Sequence, residues 1–330
     1  MKIALVKLSS LGDVVHALPV AVTLRACRPD AHITWVVESS ESAVLQGHDA
    51  IDEILAVDTR LWRRARRPAR LLRAARDLLV LRRRLAATGF DVVIDLQGLL
   101  KSGLVTAATG AALRVGFARG RCREPLSAVF TNRRITPPTS SRHVIEQYLS
   151  TLSALDITAS KVEFRVPASR QAEARVDGFL AATGLKPRDR LVVVSPGAGR
   201  EAKRWPVTRY RELATRLRDE AAAATVVAWG PGEADTAQAI TGPAAALLAP
   251  PTSIPELVAL LRRATAVVAS DTGPLHLAAA VGTRCVGLYG PTDAERNGPY
   301  GHGHRALQSP DGQMTGLTVS AVLTAVLDLL

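Results

Sequence analysis

At 330 residues the chain is longer than one ordinary domain and suits two of about 150 residues each. With 47% hydrophobic and 22% charged residues it has the composition of a folded, soluble protein, and no segment approaches the ~18 uninterrupted apolar residues of a membrane span. The net charge is +12, and its distribution says more than its total.

Met1 leads into Lys2-Ile3-Ala4-Leu5-Val6 and then polar residues. That apolar core is too short for a secretory signal, so the expected location is the cytoplasm. Ile3–Val6, Ile33–Val37, Ile54–Val57, Val92–Leu96 and Arg114–Phe117 are predicted strands of a first half. Leu191–Ser195, Thr225–Trp229, Leu247–Ala249, Ala266–Ser270 and Cys285–Tyr289 are predicted strands of a second. Helical patterns run between them over Val14–Arg25, Arg70–Ala87, Val207–Glu220, Ile254–Arg263 and Pro274–Val281, with a last helix from Val319. Such alternation builds parallel sheets covered by helices on both faces, and it occurs twice. The expected fold is therefore α/β, with two doubly wound domains. Polar and turn-forming residues over 155–190 place the boundary, giving domains 1–165 and 166–330. Thr136-Pro137-Pro138-Thr139-Ser140-Ser141 is expected to link the last strand of the first half to a helix.

The cysteines, Cys27, Cys122 and Cys285, are odd in number and far apart. They fit no zinc or redox pattern and are expected to be reduced, buried thiols.

Arginines crowd positions 60–84: Arg60, Arg63, Arg64, Arg66, Arg67, Arg70, Arg73, Arg76, Arg82, Arg83 and Arg84, with Asp77 the only acid. Leucines are interleaved. The pattern predicts a loop and a basic amphipathic helix, either a surface for anionic headgroups, phosphates or nucleic acid, or a solvated face.

Ligands of doubly wound sheets bind at the carboxyl ends of the strands, so three strand exits are informative. The first is Lys7-Leu8-Ser9-Ser10-Leu11-Gly12-Asp13-Val14-Val15-His16. It lacks Gly-x-Gly-x-x-Gly, against a dinucleotide oxidoreductase. Asp13 falls in the first helical turn, as a cap or as a general base. The second is Ser195-Pro196-Gly197-Ala198-Gly199-Arg200-Glu201-Ala202-Lys203-Arg204-Trp205-Pro206. Its small residues let amides approach a ligand, and Lys203 suits a diphosphate. The third is Ser270-Asp271-Thr272-Gly273-Pro274-Leu275-His276, where a Pro-started helix offers amides to a phosphate. His276 is a ligand-side or a core histidine. With Tyr289-Gly290-Pro291-Thr292-Asp293 at a further exit, the set favours a nucleotide-diphosphate ligand held at a domain interface.

Ser9-Ser10-Leu11-Gly12-Asp13 with His16 and Leu18-Pro19, Lys203-x-Trp205-Pro206, Asp271-Thr272-Gly273-Pro274-Leu275-His276 and Tyr289-Gly290-Pro291-Thr292 together resemble the heptosyltransferase family of lipopolysaccharide glycosyltransferases. The resemblance runs in order over nearly the whole chain. Trp35-Val36-Val37-Glu38, Asp95-Leu96-Gln97-Gly98-Leu99-Leu100-Lys101-Ser102 and Arg123-Glu124-Pro125-Leu126-Ser127 are similar to the branch that adds the first heptose.

The resemblance implies a GT-B architecture of two facing Rossmann-like domains, acceptor on the first and donor on the second. It implies inverting, metal-independent transfer of heptose from ADP-heptose to a Kdo residue of Kdo-lipid A, without a cofactor. Carried onto this chain, Asp13 is the base. Lys203, Thr272 and Gly273 take the donor phosphates and Asp271 the donor sugar, with Gly199, Glu233 and His276 also on the donor side. Ser10, Gly12, Gln97, Lys101 and Arg123, with Arg60, Arg63 and Arg64, lie on the acceptor side. Gly197-Ala198-Gly199 stands where relatives often carry hydroxyl-bearing residues. The acceptor implies an enzyme attached peripherally to the inner face of the cytoplasmic membrane, and a phosphorylated lipid accounts for the arginine stretch better than nucleic acid does. The alternatives are a family member with another sugar or acceptor, or a nucleotide-sugar epimerase on the same scaffold.

Overall fold

The short apolar runs pair into two parallel sheets in the computed structural model, which describes residues 1–59, 68–186, 188–241 and 246–330. The first sheet contains β1 (Lys2–Val6), β2 (His32–Glu38), β3 (Glu53–Val57), β4 (Val92–Asp95), β5 (Leu113–Phe117) and β6 (Arg133–Ile135), in the order β3-β2-β1-β4-β5-β6. The second contains β7 (Leu191–Ser195), β8 (Ala224–Val227), β9 (Leu247–Leu248), β10 (Ala266–Ser270), β11 (Arg284–Tyr289) and β12 (Arg305–Gln308), in the order β12-β11-β10-β7-β8-β9. Counted from its own first strand, each sheet follows the doubly wound order 3-2-1-4-5-6. The order reverses between β1 and β4, where Val6 faces Asp95, and between β7 and β10, where Ser195 faces Ala269.

Burial explains why these runs are strands. Every residue of β4, β7 and β10 is buried, as central parallel strands covered on both faces require. The helix Leu11–Cys27 is buried continuously from Val14 to Leu24, so it shows no polar stripe. In the second sheet's core, the Trp205 and Tyr210 rings meet edge to face at 4.8 Å. The chain divides into two compact units, Met1–Arg165 and Val166–Leu330.

Several elements depart from the sequence reading. The edge strands β6 and β12 were not anticipated: each is short, bears arginine and is mostly exposed, so neither carries a buried apolar signature. The helix Arg170–Ala182 forms inside the stretch read as turn-rich, started by Ser169, whose side chain accepts from the Ala172 amide. The helices Leu100–Ala108 and Ala234–Thr241 were also not predicted, whereas Val144–Leu149 is the helix expected after the loop that ends at Ser141. The expectation of buried thiols holds for Cys285 alone: Cys27 is exposed and Cys122 partly so, although all three are free. The helix Pro68–Thr88 carries the later part of the arginine stretch, while Arg60, Arg63 and Arg64 lie outside the described residues.

Candidate active site

Both reversal points carry a cluster of ionisable side chains. In the first unit it begins with Lys7, one residue beyond β1. Its amine is buried, donates to the Leu96 carbonyl at 3.0 Å and to the Tyr148 hydroxyl at 2.7 Å, and lies 4.5 Å from the centre of the Tyr148 ring. It stands 3.6 Å from Asp13 Oδ1. Burial works against its charge, yet the Tyr148 hydroxyl and the Asp13 and Asp95 carboxylates hold it above the ordinary lysine value.

The two carboxylate oxygens of Asp13 face different partners. Oδ2 accepts from the Ser10 amide at 3.0 Å and the Ser10 hydroxyl at 2.9 Å, fixing the start of the helix. Oδ1 faces the other way, toward Lys7 and the Tyr148 hydroxyl, which donates at 3.4 Å. The side chain keeps about a third of its surface exposed, 37%, so one oxygen orients the carboxylate and solvent still reaches it.

The loop around Asp13 is held from β4. Gln97 Oε1 accepts from the Leu8 and Ser9 amides, and its Nε2 donates to the Ser9 carbonyl at 2.7 Å. Both ends of that amide thus clamp the backbone leading to Ser10 and the buried Gly12. Asp95 is buried beneath the turn, accepting from the Gln97 and Gly98 amides and the Ser102 hydroxyl. Burial pushes its carboxyl up, against those bonds and Lys7. Gly98 turns with φ +64°, a conformation that suits glycine, while backbone of Cys122 lies close to where a side chain would project. Lys101 reaches the buried Glu38 and the Ser9 hydroxyl, each at 3.3 Å, and Thr59 completes that group by donating to Glu38 from its hydroxyl and amide. Arg123 is exposed beside this turn.

In the second unit the lysine and carboxylate pair directly. Lys203 Nζ donates to Asp271 Oδ2 at 2.6 Å and to the Asp271 carbonyl at 3.3 Å, and His276 Nε2 lies 3.0 Å from Asp271 Oδ1. Burial opposes the Asp271 charge, but His276 and Lys203 outweigh it and hold the carboxyl well below the ordinary aspartate value. Thr272 precedes the helix Gly273–Ala280 in extended conformation, and its hydroxyl turns back to the Ser270 carbonyl, so no side chain caps the first-turn amides. Across the β7 exit, Glu233 accepts from the Gly230 amide at 2.9 Å, and its carboxylate lies against Gly197 so closely that a Cβ there would sit 1.9 Å from it. Gly199 has open space where a side chain would begin.

The structure thus gathers Ser10, Gly12, Asp13, Gln97 and Lys101 at one reversal point, and Lys203, Asp271, Thr272, Gly273 and His276 at the other. Lys7, Tyr148, Asp95 and Glu38 were given no role by the sequence reading. Tyr148 lies 141 positions from Lys7, and no local spacing joins them. Among the described residues no group of three His, Cys, Asp or Glu side chains is arranged to hold a metal ion, and no helix is long and apolar enough to cross a membrane.

Comparison with known proteins gives the family. The profile of glycosyltransferase family 9 (heptosyltransferase) matches residues 78–322. Lipopolysaccharide heptosyltransferase 1 of Escherichia coli strain K12 is 30% identical over 98% of this chain and 98% of its own length. The Pseudomonas aeruginosa protein of the same name is 32% identical over 91% of this chain and 82% of its length. The solved structure of E. coli heptosyltransferase WaaC with ADP-2-deoxy-2-fluoro heptose superposes with a TM-score of 0.81 at 29% identity, covering 99% of both chains. The chain is a glycosyltransferase of GT-B type and belongs to glycosyltransferase family 9, the heptosyltransferases.

Proposed function

We propose that this enzyme moves L-glycero-D-manno-heptose from ADP-heptose to a Kdo residue of Kdo-lipid A, with inversion at the anomeric carbon. The observation that carries the reading is the split use of Asp13: one oxygen is spent on the helix start and the other is turned to Lys7. Near full-length similarity to heptosyltransferase 1 supports the choice of donor and acceptor.

In this mechanism Asp13 Oδ1 takes the proton from the acceptor hydroxyl as its oxygen bonds to the heptose anomeric carbon. The bond from that carbon to the β-phosphate oxygen breaks, and ADP leaves with the electron pair. Lys7 favours the ionised carboxylate before transfer. Lys203 and the amides at Thr272 and Gly273 stabilise the charge that grows on the diphosphate. Asp271 holds Lys203 until the donor arrives and then bonds a sugar hydroxyl, with His276 fixing its second oxygen. Glu233 and Gly199 complete the donor side, while Ser10, Gly12, Lys101 and the exposed Arg123 face the acceptor. The reading needs no metal and no cofactor, and it places the enzyme on the cytoplasmic face of the membrane that bears the acceptor.

Mass spectrometry of a reaction containing ADP-heptose, Kdo-lipid A and excess EDTA tests it. A single heptose added to the lipid, with stoichiometric ADP, is the expected result. No product under these conditions, with activity restored by magnesium or manganese, overturns the metal-free mechanism; no product under any of them overturns the substrate assignment.

A further inference from the structure

The first unit exposes apolar side chains where a folded surface normally buries them. Of the nine large hydrophobic residues exposed among the described residues, six are Leu79, Val80, Leu100, Leu104, Leu126 and Val129. They lie on three elements that pack in sequence: the helix Pro68–Thr88 against Leu100–Ala108, and the latter against the short helix Pro125–Phe130. The middle helix carries apolar side chains outward as well as inward, where Val105 joins the core. Its outward stripe is Leu100, Leu104 and Ala107, while Ser102 and Thr106 face inward. The third element repeats this, with Leu126 and Val129 outward at the three-residue spacing that stacks side chains in a 3₁₀ helix, and Ser127 buried.

The two short elements are fastened together. Glu124 accepts from the Leu100 amide at 2.6 Å and donates its own amide to the Gly98 carbonyl. Gly103 lets the Phe130 ring come within 2.3 Å of where a Cβ would stand. A glycine that seats one aromatic while neighbouring leucines face water shows that the exposed stripe is not a failure of packing.

Around these side chains arginines predominate among the exposed charges. Arg76, Arg82 and Arg83 are exposed on the long helix, and Arg119 and Arg121 on the turn before Pro125. The nearby Glu124 is engaged by the Leu100 amide. Apolar side chains ringed by arginine fit a layer whose outside is anionic and whose inside is hydrocarbon. A protein partner of acidic character would satisfy the arginines alone.

We infer that this face, formed by the three packed elements, seats on an anionic lipid bilayer, with Leu100, Leu104, Leu126 and Val129 entering the headgroup region and the arginines meeting lipid phosphates. The inference rests on the proposed lipid acceptor for its purpose, but vesicle binding is measured independently of catalysis.

The test is co-sedimentation with vesicles of phosphatidylcholine, alone or mixed with phosphatidylglycerol. The parent should bind the mixed vesicles and lose binding as salt rises. Leu104→Ser combined with Val129→Ser should lower the partition coefficient by ~10-fold or more, since each apolar side chain withdrawn from water contributes appreciably. Arg119→Gln with Arg121→Gln should weaken binding to the mixed vesicles and leave weak phosphatidylcholine binding unchanged. Transfer to a deacylated, water-soluble acceptor without vesicles should match the parent in both variants. If the parent shows no such transfer, the proposed reaction is wrong, while the vesicle result still decides the docking surface.

Val129→Trp gives a second measurement that needs no loss of side chain at an exposed position. Its emission should shift to the blue on mixed vesicles and be quenched by brominated acyl chains. Unchanged emission, or parental vesicle binding by the double serine variant, overturns the inference. So does light scattering that shows a parental dimer broken by the serine substitutions with vesicle binding intact, because the face would then join two copies of the chain.

Discussion

Lys7 Nζ stands 3.6 Å from Asp13 Oδ1, and the Tyr148 hydroxyl touches both, accepting from the amine at 2.7 Å and donating to the carboxylate at 3.4 Å. In the proposed mechanism this buried cation, facing one oxygen of a part-exposed carboxylate, positions Asp13 as the base. Lys7→Met keeps the length and apolar stem but removes the charge. It should lower kcat by ~10-fold or more while ADP affinity, which the proposed mechanism assigns to the other unit, is unchanged. Tyr148→Phe keeps the cation beside the carboxylate and should cost less. Equal kcat in parent and a folded Lys7→Met protein contradicts the role.

Asp13→Asn preserves a polar side chain at the helix start but cannot take a proton. Turnover should fall by ~10²-fold or more. Melting temperature should fall as well, because the Ser10 amide keeps an acceptor but the buried Lys7 amine loses a counter-charge. Calorimetric ADP binding should match the parent. Substantial residual turnover would show that Asp13 is only a cap.

Lys203 and Asp271 form an ion pair at 2.6 Å, which the donor diphosphate of the proposed mechanism would share. Lys203→Ala should weaken ADP binding and slow transfer, and calorimetry that shows unchanged affinity removes the lysine from the donor site. The pair also sets a pH dependence. Asp271 has a folded-state carboxyl held below its ordinary value, so its contribution to stability is present above the ordinary aspartate pKa of about 4 and lost as pH falls through the lower folded-state value. The melting-temperature advantage of the parent over Asp271→Asn should therefore shrink steadily on acidification below about pH 4. A constant difference across that range would refute the ionic role.

Gly197 and Gly199 share a loop but should respond differently to alanine. At Gly197 the new methyl group would meet the Glu233 carboxylate at 1.9 Å; at Gly199 it meets nothing within 4 Å. The glutamate can swing aside, so Gly197→Ala should cost only about 1 kcal/mol of stability, the value of its hydrogen bond to Gly230. Its donor affinity should drop, because Glu233 leaves its position. Gly199→Ala should retain parental stability. If Gly197→Ala binds donor normally, Glu233 does not belong to the donor site.

Periodicity and chain order revealed the two α/β halves and their central strands. Continuous β-branched runs alternating with helical patterns reveal buried parallel strands because both faces of such strands are covered, and β7 and β10 match their predicted bounds for that reason. The strand exits followed, so Asp13, Lys203 and Asp271 could be singled out. The edge strands β6 and β12 could not, since their residues are selected by exposure and carry no apolar signature. What only the tertiary structure decided is which charges face each other. Lys7 acquires its place from Tyr148, 141 positions away, and Glu38 meets Lys101 across 63. Electrostatic interaction between side chains depends on distance in space and on the water excluded around them, and the fold alone brings those residues within reach of one another.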